Sequence, residues 1–210
     1  MNKALLLALA VVCAACAAPE RSRSLNDPAV TAPVMAGQVC SNCHGLDGNA
    51  ASPNFPRLAA QPEAYLVSQL KAFRGRGRSD PAGFEYMWGL SRHLTDAQID
   101  GLATYFSSQK AAPNPVRADP ALLAKGKAIF EEGHADKGLP ACKGCHGAAA
   151  QGMAAFPRLA GQHADYIEKQ LLVFQRTDER PEGAVMKTIA HLLEPSEIPA
   201  LAAYLQSAGS

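Results

Sequence analysis

The chain has 210 residues, 48% of them hydrophobic and 6% aromatic, with 20 Lys+Arg against 19 Asp+Glu. A formal charge of +1 excludes a phosphate-reading nucleic-acid binder, and the hydrophobic share excludes wholesale disorder. The length suits one large domain or two small ones. Two domains of about a hundred residues with so little aromatic mass call for a metal, a disulfide or a cofactor.

In chain order, the first segment reads as a signal over residues 1–18. Lys3 precedes an unbroken apolar run from Ala4 to Val12, and small residues follow to Ala18. That is the order of a secretory signal, too short for a membrane span. Two processing routes stay open. One is cleavage around Ala17 or Ala18. The other is a lipidated Cys16, because Ala14-Ala15-Cys16 resembles a bacterial lipoprotein box. Either predicts a periplasmic protein, soluble or membrane-associated, with residues 19–33 as an N-terminal tether. A first domain spans residues 34–110. Within it, Tyr65, Leu66, Gln69, Leu70 and Phe73 recur at helical spacing after Pro62. Thr95 and Gln98 form a capping box before Ile99, Leu102 and Phe106. Residues 111–118, with Pro113 and Pro115, form a short stiff linker. A second domain spans residues 119–208. Asp119-Pro120 opens a helix that presents Leu122, Gly126, Ile129 and Phe130 on one face and stops at Gly133. A second helix runs from about Ala164 to Phe174. The last is predicted from Ser196, with Pro199 in its first turn. No stretch alternates with period two, so the fold class is all-α, with about three main helices per domain.

An internal repeat organises the chain. Cys40-Ser41-Asn42-Cys43-His44-Gly45 recurs as Cys142-Lys143-Gly144-Cys145-His146-Gly147, and Phe55-Pro56-Arg57-Leu58-Ala59 as Phe156-Pro157-Arg158-Leu159-Ala160. Cys-x-x-Cys-His is the attachment sequence for c-type haem. Two thiols with two residues between them reach the two vinyl groups on one porphyrin edge, and the adjacent His offers an axial nitrogen to iron. A zinc site would pair Cys-x-x-Cys units at a much shorter separation, and a thioredoxin-like pair needs a βαβ setting. Two covalently bound c-type haems are therefore predicted, held by Cys40 and Cys43, and by Cys142 and Cys145, with His44 and His146 on iron.

Met87 and Met186 follow these histidines by similar intervals at equivalent places in the repeat, which makes them the predicted opposite ligands. Met35 precedes the first haem motif and Met153 closely follows the second. His93 and His191 are rivals whose registers differ by one residue. With His and Met both on iron no site is left for substrate, and the thioether favours the ferrous state. That chemistry belongs to an electron carrier rather than an enzyme.

Together these pieces resemble the di-haem cytochromes c of the cytochrome c₄ family, over about residues 28–208. The resemblance rests on both haem motifs, on Asn54-Phe55-Pro56-Arg57-Leu58-Ala59 with Tyr65 to Leu70, on Ala118 to Phe130, and on Met87 and Met186. Ala60 departs from it, standing where such proteins usually have Gly, and His134 lies in a loop ahead of the second haem. The resemblance implies two tandem cytochrome c domains related by a pseudo-twofold axis, each wrapped around one haem. It implies that the Pro56 and Pro157 carbonyls accept from the axial histidines, and that Arg57 and Arg158 pair with propionates. Tyr65, Tyr166, Phe73 and Phe174 read as haem-packing core. Arg74-Gly75-Arg76-Gly77-Arg78 reads as a solvated loop or as a patch that steers an acidic partner, with no equivalent in the second half. The implied role links a quinol-oxidising complex or a periplasmic dehydrogenase to a terminal oxidase. The alternatives are a haem enzyme of the di-haem peroxidase type, and a dedicated cytochrome subunit of a membrane oxidase or dehydrogenase.

Overall fold

The structure is a computed structural model that describes residues 22–209. The signal segment and Cys16 lie outside the described residues. In the first domain, α1 (Ala32–Met35) starts with Pro33 in its first turn, where the ring costs no hydrogen bond. It passes without a break through a π-helical segment, Ala36–Cys40, into α2 (Ser41–His44). The first haem motif is thus the end of one helical stretch. Gly45, at φ 78°, then turns the chain away. There follow α3 (Glu63–Arg74), α4 (Pro81–Ser91) and α5 (Asp96–Ser107). The Thr95 and Gln98 capping box is formed in full.

The second domain repeats this plan with α6 (Pro120–Glu132), α7 (Lys143–His146), α8 (Ala164–Arg176), α9 (Ala184–Ala190) and α10 (Ile198–Ser207). It differs by an insertion after α6 and by a shorter α9. α6 stops at Gly133 (φ 66°), and a loop closed by backbone pairing of His134 with Leu139 intervenes before α7. Among the described residues there is no β-strand, only isolated bridges. None of the described helices is long and apolar enough to cross a membrane.

Each domain closes where its first and last helices cross on small residues. In the first, Gly101 of α5 meets Ala32 of α1; a Cβ on Gly101 would come within 2.7 Å of that methyl. In the second the roles are exchanged, and Gly126 of α6 lies against the Ala200 carbonyl of α10. Around these crossings Met35, Leu66, Ile99, Leu102 and Phe106 form one core, and Ile129, Phe130, Ile167, Leu171, Leu201 and Leu205 the other.

The count of three main helices per domain is corrected: α4 and α9 are additional, and they carry Met87 and Met186. The last helix begins at Ile198 rather than Ser196, with Pro199 still in its first turn. The arginine run is corrected as well. Arg78 is buried and has a counterpart in Arg180, Arg74 bonds Asp96 at 2.6 Å, and only Arg76 is solvated as expected of the whole run.

The two domains join through reciprocal contacts. The Gln61 side chain accepts from Arg158 N at 3.0 Å and donates to Arg158 O at 2.8 Å. Gln162 does the same to Arg57 N and O, at 2.8 and 2.9 Å. Arg78 donates to Gln69 Oε1 (2.6 Å) and across to Gln170 Oε1 (3.2 Å); Arg180 donates to Gln170 Oε1 (2.6 Å) and across to Gln69 Oε1 (2.8 Å). These mirrored pairs give the molecule a pseudo-twofold axis through its interface.

Candidate haem-binding sites

Each haem motif sits on a single helical turn, so its two cysteines, three positions apart, share one face and the following His projects beside them. The loops that come back beneath these turns fix the histidines. His44 Nδ1 donates to Pro56 O at 2.8 Å, and His146 Nδ1 to Pro157 O at 2.9 Å. Phe55 and Phe156 each stand edge-on to the adjacent imidazole at 6.2 Å. Both histidines are buried, which lowers their pKa from the ordinary value, with the proline carbonyls pulling the other way. Burial also pushes the Cys40 and Cys142 thiols up to about 11.

This donor set suits a covalently held porphyrin in both halves. With Nδ1–H engaged by a carbonyl, the Nε2 lone pair is the one left for iron, and the acceptor holds the ring's orientation. The thiols beside it would add to the vinyl groups, each S–H across one double bond. Nothing among the described residues suits a zinc cage, since no three His, Cys, Asp or Glu side chains converge.

Met87 and Met186 are half-buried on α4 and α9, which pack against α3 and α8. Met186 also touches the second core. The other candidates lie elsewhere. Met35 is a core residue, 1% exposed, and Met153 is on the surface. His93 and His191 are exposed, and His191 Nδ1 bonds its own helix at Lys187 O.

Arg57 and Arg158 lie at the domain interface. The Arg57 guanidinium donates to Gly161 O at 2.8 Å and to Asn49 Oδ1 at 2.5 Å, whereas the buried Arg158 Nε has no hydrogen-bond partner among the described residues. Sequence reasoning missed the more central pair. Arg78 and Arg180 lie over the Phe73 and Phe174 rings at 4.5 and 4.7 Å, and Arg78 reaches Tyr166 Oη at 3.3 Å. Tyr65 and Tyr166 therefore adjoin a buried arginine–glutamine cluster. The signal that could have found it is the repeat itself, which aligns Arg78 with Arg180 and Gln69 with Gln170.

The Cytochrome c family profile matches residues 33–110 and again 123–209. Cytochrome c4 of Stutzerimonas stutzeri is 42% identical over 177 residues, covering 80% of this chain and 83% of that protein. A protein named thiosulfate dehydrogenase electron acceptor, from Thiomonas intermedia, is 37% identical over 174 residues, covering 79% of this chain and 76% of its own length. Among solved structures, reduced cytochrome c4 from Pseudomonas stutzeri superposes with a TM-score of 0.77 at 37% identity, covering 87% of this chain and 99% of that one. Two profile matches, two attachment motifs and full-length likeness to a two-domain relative agree on two covalent c-type haems. The chain belongs to the cytochrome c family and, within it, to the di-haem electron-transfer cytochromes of the cytochrome c4 type.

Proposed function

We propose that this protein is a periplasmic electron carrier, not an enzyme, that takes electrons from a quinol-oxidising complex or a periplasmic dehydrogenase and delivers them to a terminal oxidase. The observation that carries the reading is the duplicated histidine site, in which each ring is fixed by a proline carbonyl. A relative named for accepting electrons from thiosulfate dehydrogenase supports a dehydrogenase among the donors.

When bound, haem supplies one-electron exchange at iron with little rearrangement. The chain's own residues do the rest. Cys40, Cys43, Cys142 and Cys145 attach the rings. His44 and His146 present Nε2, held in orientation by Pro56 and Pro157. Met87 and Met186 would supply the thioether ligand to each iron, supported by their equivalent seats on α4 and α9. A thioether there excludes substrate and favours the ferrous state.

The test is the weak charge-transfer band at the red end of the ferric spectrum, which reports a Met–iron bond. Wild type is expected to show two bonds per chain. Met87→Ala and Met186→Ala should each remove about half of the band and lower the potential of one haem. A wild type with a high-spin haem that turns over peroxide quickly would replace this reading with the enzyme one.

A further inference from the structure

We infer that the first domain exchanges electrons with an acidic redox protein docked on α4, over Trp88 and the two arginines that bracket it. This rests on the carrier reading above, because α4 also bears Met87.

Of the arginine run that begins at the end of α3, Arg78 is buried and Arg74 is paired with Asp96. Arg76 remains at the surface, and its guanidinium lies 4.3 Å from the centroid of Trp88, the chain's single tryptophan. Arg92, at the other end of α4, approaches the same ring at 5.1 Å. Neither guanidinium has a carboxylate partner among the described residues, so both charges face solvent. Phe84 stacks on Trp88 at 5.7 Å. Aromatic rings with arginines make an interface centre, and unpaired positive charge around them steers a negative partner toward it.

The second domain does not repeat this surface. At the positions of Arg76, Trp88 and Arg92 it has Asp178, Lys187 and His191. Asp178 and Lys187 neutralise one another in an ion pair. The imbalance extends to the whole domains. Residues 34–110 carry seven Lys/Arg against six Asp/Glu, and residues 119–208 carry nine against eleven. The two halves thus present unlike electrostatic faces at the helices that bear Met87 and Met186, and only the first suits an acidic partner. Arg76 itself is held at φ 59°, a conformation that most side chains avoid.

Charged redox reagents test this on the full di-haem protein. Arg76→Gly suits the backbone at that φ, and Arg92→Gln is conservative at an exposed helix end, so the double variant should fold with an unchanged ferric spectrum. At low ionic strength, oxidation of the first-domain haem by hexacyanoferrate(III), an anion, should slow about tenfold in that variant. Oxidation by the tris(phenanthroline)cobalt(III) cation should speed up, and both differences should shrink in 0.2 M salt. Lys187→Gln should leave the first-domain rates unchanged. A decaglutamate peptide should shift the Trp88 indole resonance of wild type saturably, and much less in the variant. If both haems cycle reversibly but the anion and cation rates move together, or Trp88 stays still, the docking site is wrong while the carrier stands. If the haems do not exchange electrons with either reagent, the carrier reading falls first.

Discussion

Ala60 and Gly161 occupy the same turn of the repeat, each followed by the glutamine that reaches across the interface, and both backbones are left-handed, at φ 55° and 74°. Each N–H is tied to its last helix, Ala60 N to Phe106 O and Gly161 N to Leu205 O, so the conformation is imposed. A Cβ in that region costs about 1–2 kcal/mol, of which part is offset because alanine orders more easily than glycine. Ala60→Gly should therefore raise stability by about 0.5–1 kcal/mol, and Gly161→Ala should lower it by a similar amount. Space does not decide the second case, since the nearest atom to a new Cβ is Arg57 Nη1 at 3.5 Å. Denaturant unfolding of the haem-loaded protein would measure both; equal midpoints for all three proteins would refute the argument. At this scale the sequence was legible where covalent chemistry imposes a spacing, as at Cys40, Cys43 and His44. It was not legible where a side chain meets a distant backbone. Nothing local to Gln61 announces that its amide will pair with Arg158, 97 positions away.

The elements show a similar division. α3, α5, α6 and α8 were readable because one face of each is apolar at helical spacing. α4 was missed because Pro81, Gly83 and Gly89 interrupt its composition and no apolar stripe marks it. Its start carried a usable signal, since Asp80-Pro81 has the form of Asp119-Pro120. The difference is that the Asp119 side chain accepts from Ala121 N, whereas the Asp80 carboxylate is engaged by Arg78. The glycine also has a purpose: a Cβ at Gly83 would lie 3.1 Å from the Phe73 ring, and Gly183 is likewise pressed on Phe174. The α6–α10 crossing depends on glycine more strictly. Gly126→Ala sets a methyl into the Ala200 carbonyl, and two helices must separate to admit it. The expected loss is at least about 2 kcal/mol. Gly89→Ala, with no neighbour within 4 Å, should instead gain about 1 kcal/mol from helix propensity. Thermal unfolding of the two variants should shift in opposite directions; a neutral Gly126→Ala would mean that the crossing is looser than described.

On the scale of the whole molecule, what joins the halves is polar, and one contact titrates. His163 is buried beside the linker. Its Nε2–H donates to Ala50 O at 2.8 Å in the first domain, and Nδ1 lies 3.3 Å from Asn114 Nδ2. The Asn114 amide also donates to Gly161 O, which fixes its NH2 end toward the ring. His163 Nδ1 must then be an acceptor, so this junction requires the neutral imidazole. Burial lowers its pKa; the Ala50 carbonyl and Asp165 oppose that shift and Arg57 adds to it. A separated or unfolded chain takes up the proton first, near the ordinary value of about 6.5. The contribution of this contact is therefore fully present above about pH 6.5 and is lost as pH falls through that value toward the lowered one. A fall in overall stability sums over every titrating group, so it would not isolate His163. The amides that Gln61 and Gln162 hold across the interface, Arg158 N–H and Arg57 N–H, do isolate it. Their hydrogen-exchange protection, corrected for intrinsic rate, should drop between pH 7.5 and pH 5 in wild type. In His163→Gln it should already be low at pH 7.5 and change little. Protection that falls equally in both proteins, or not at all in wild type, would show that the interface does not respond to this histidine.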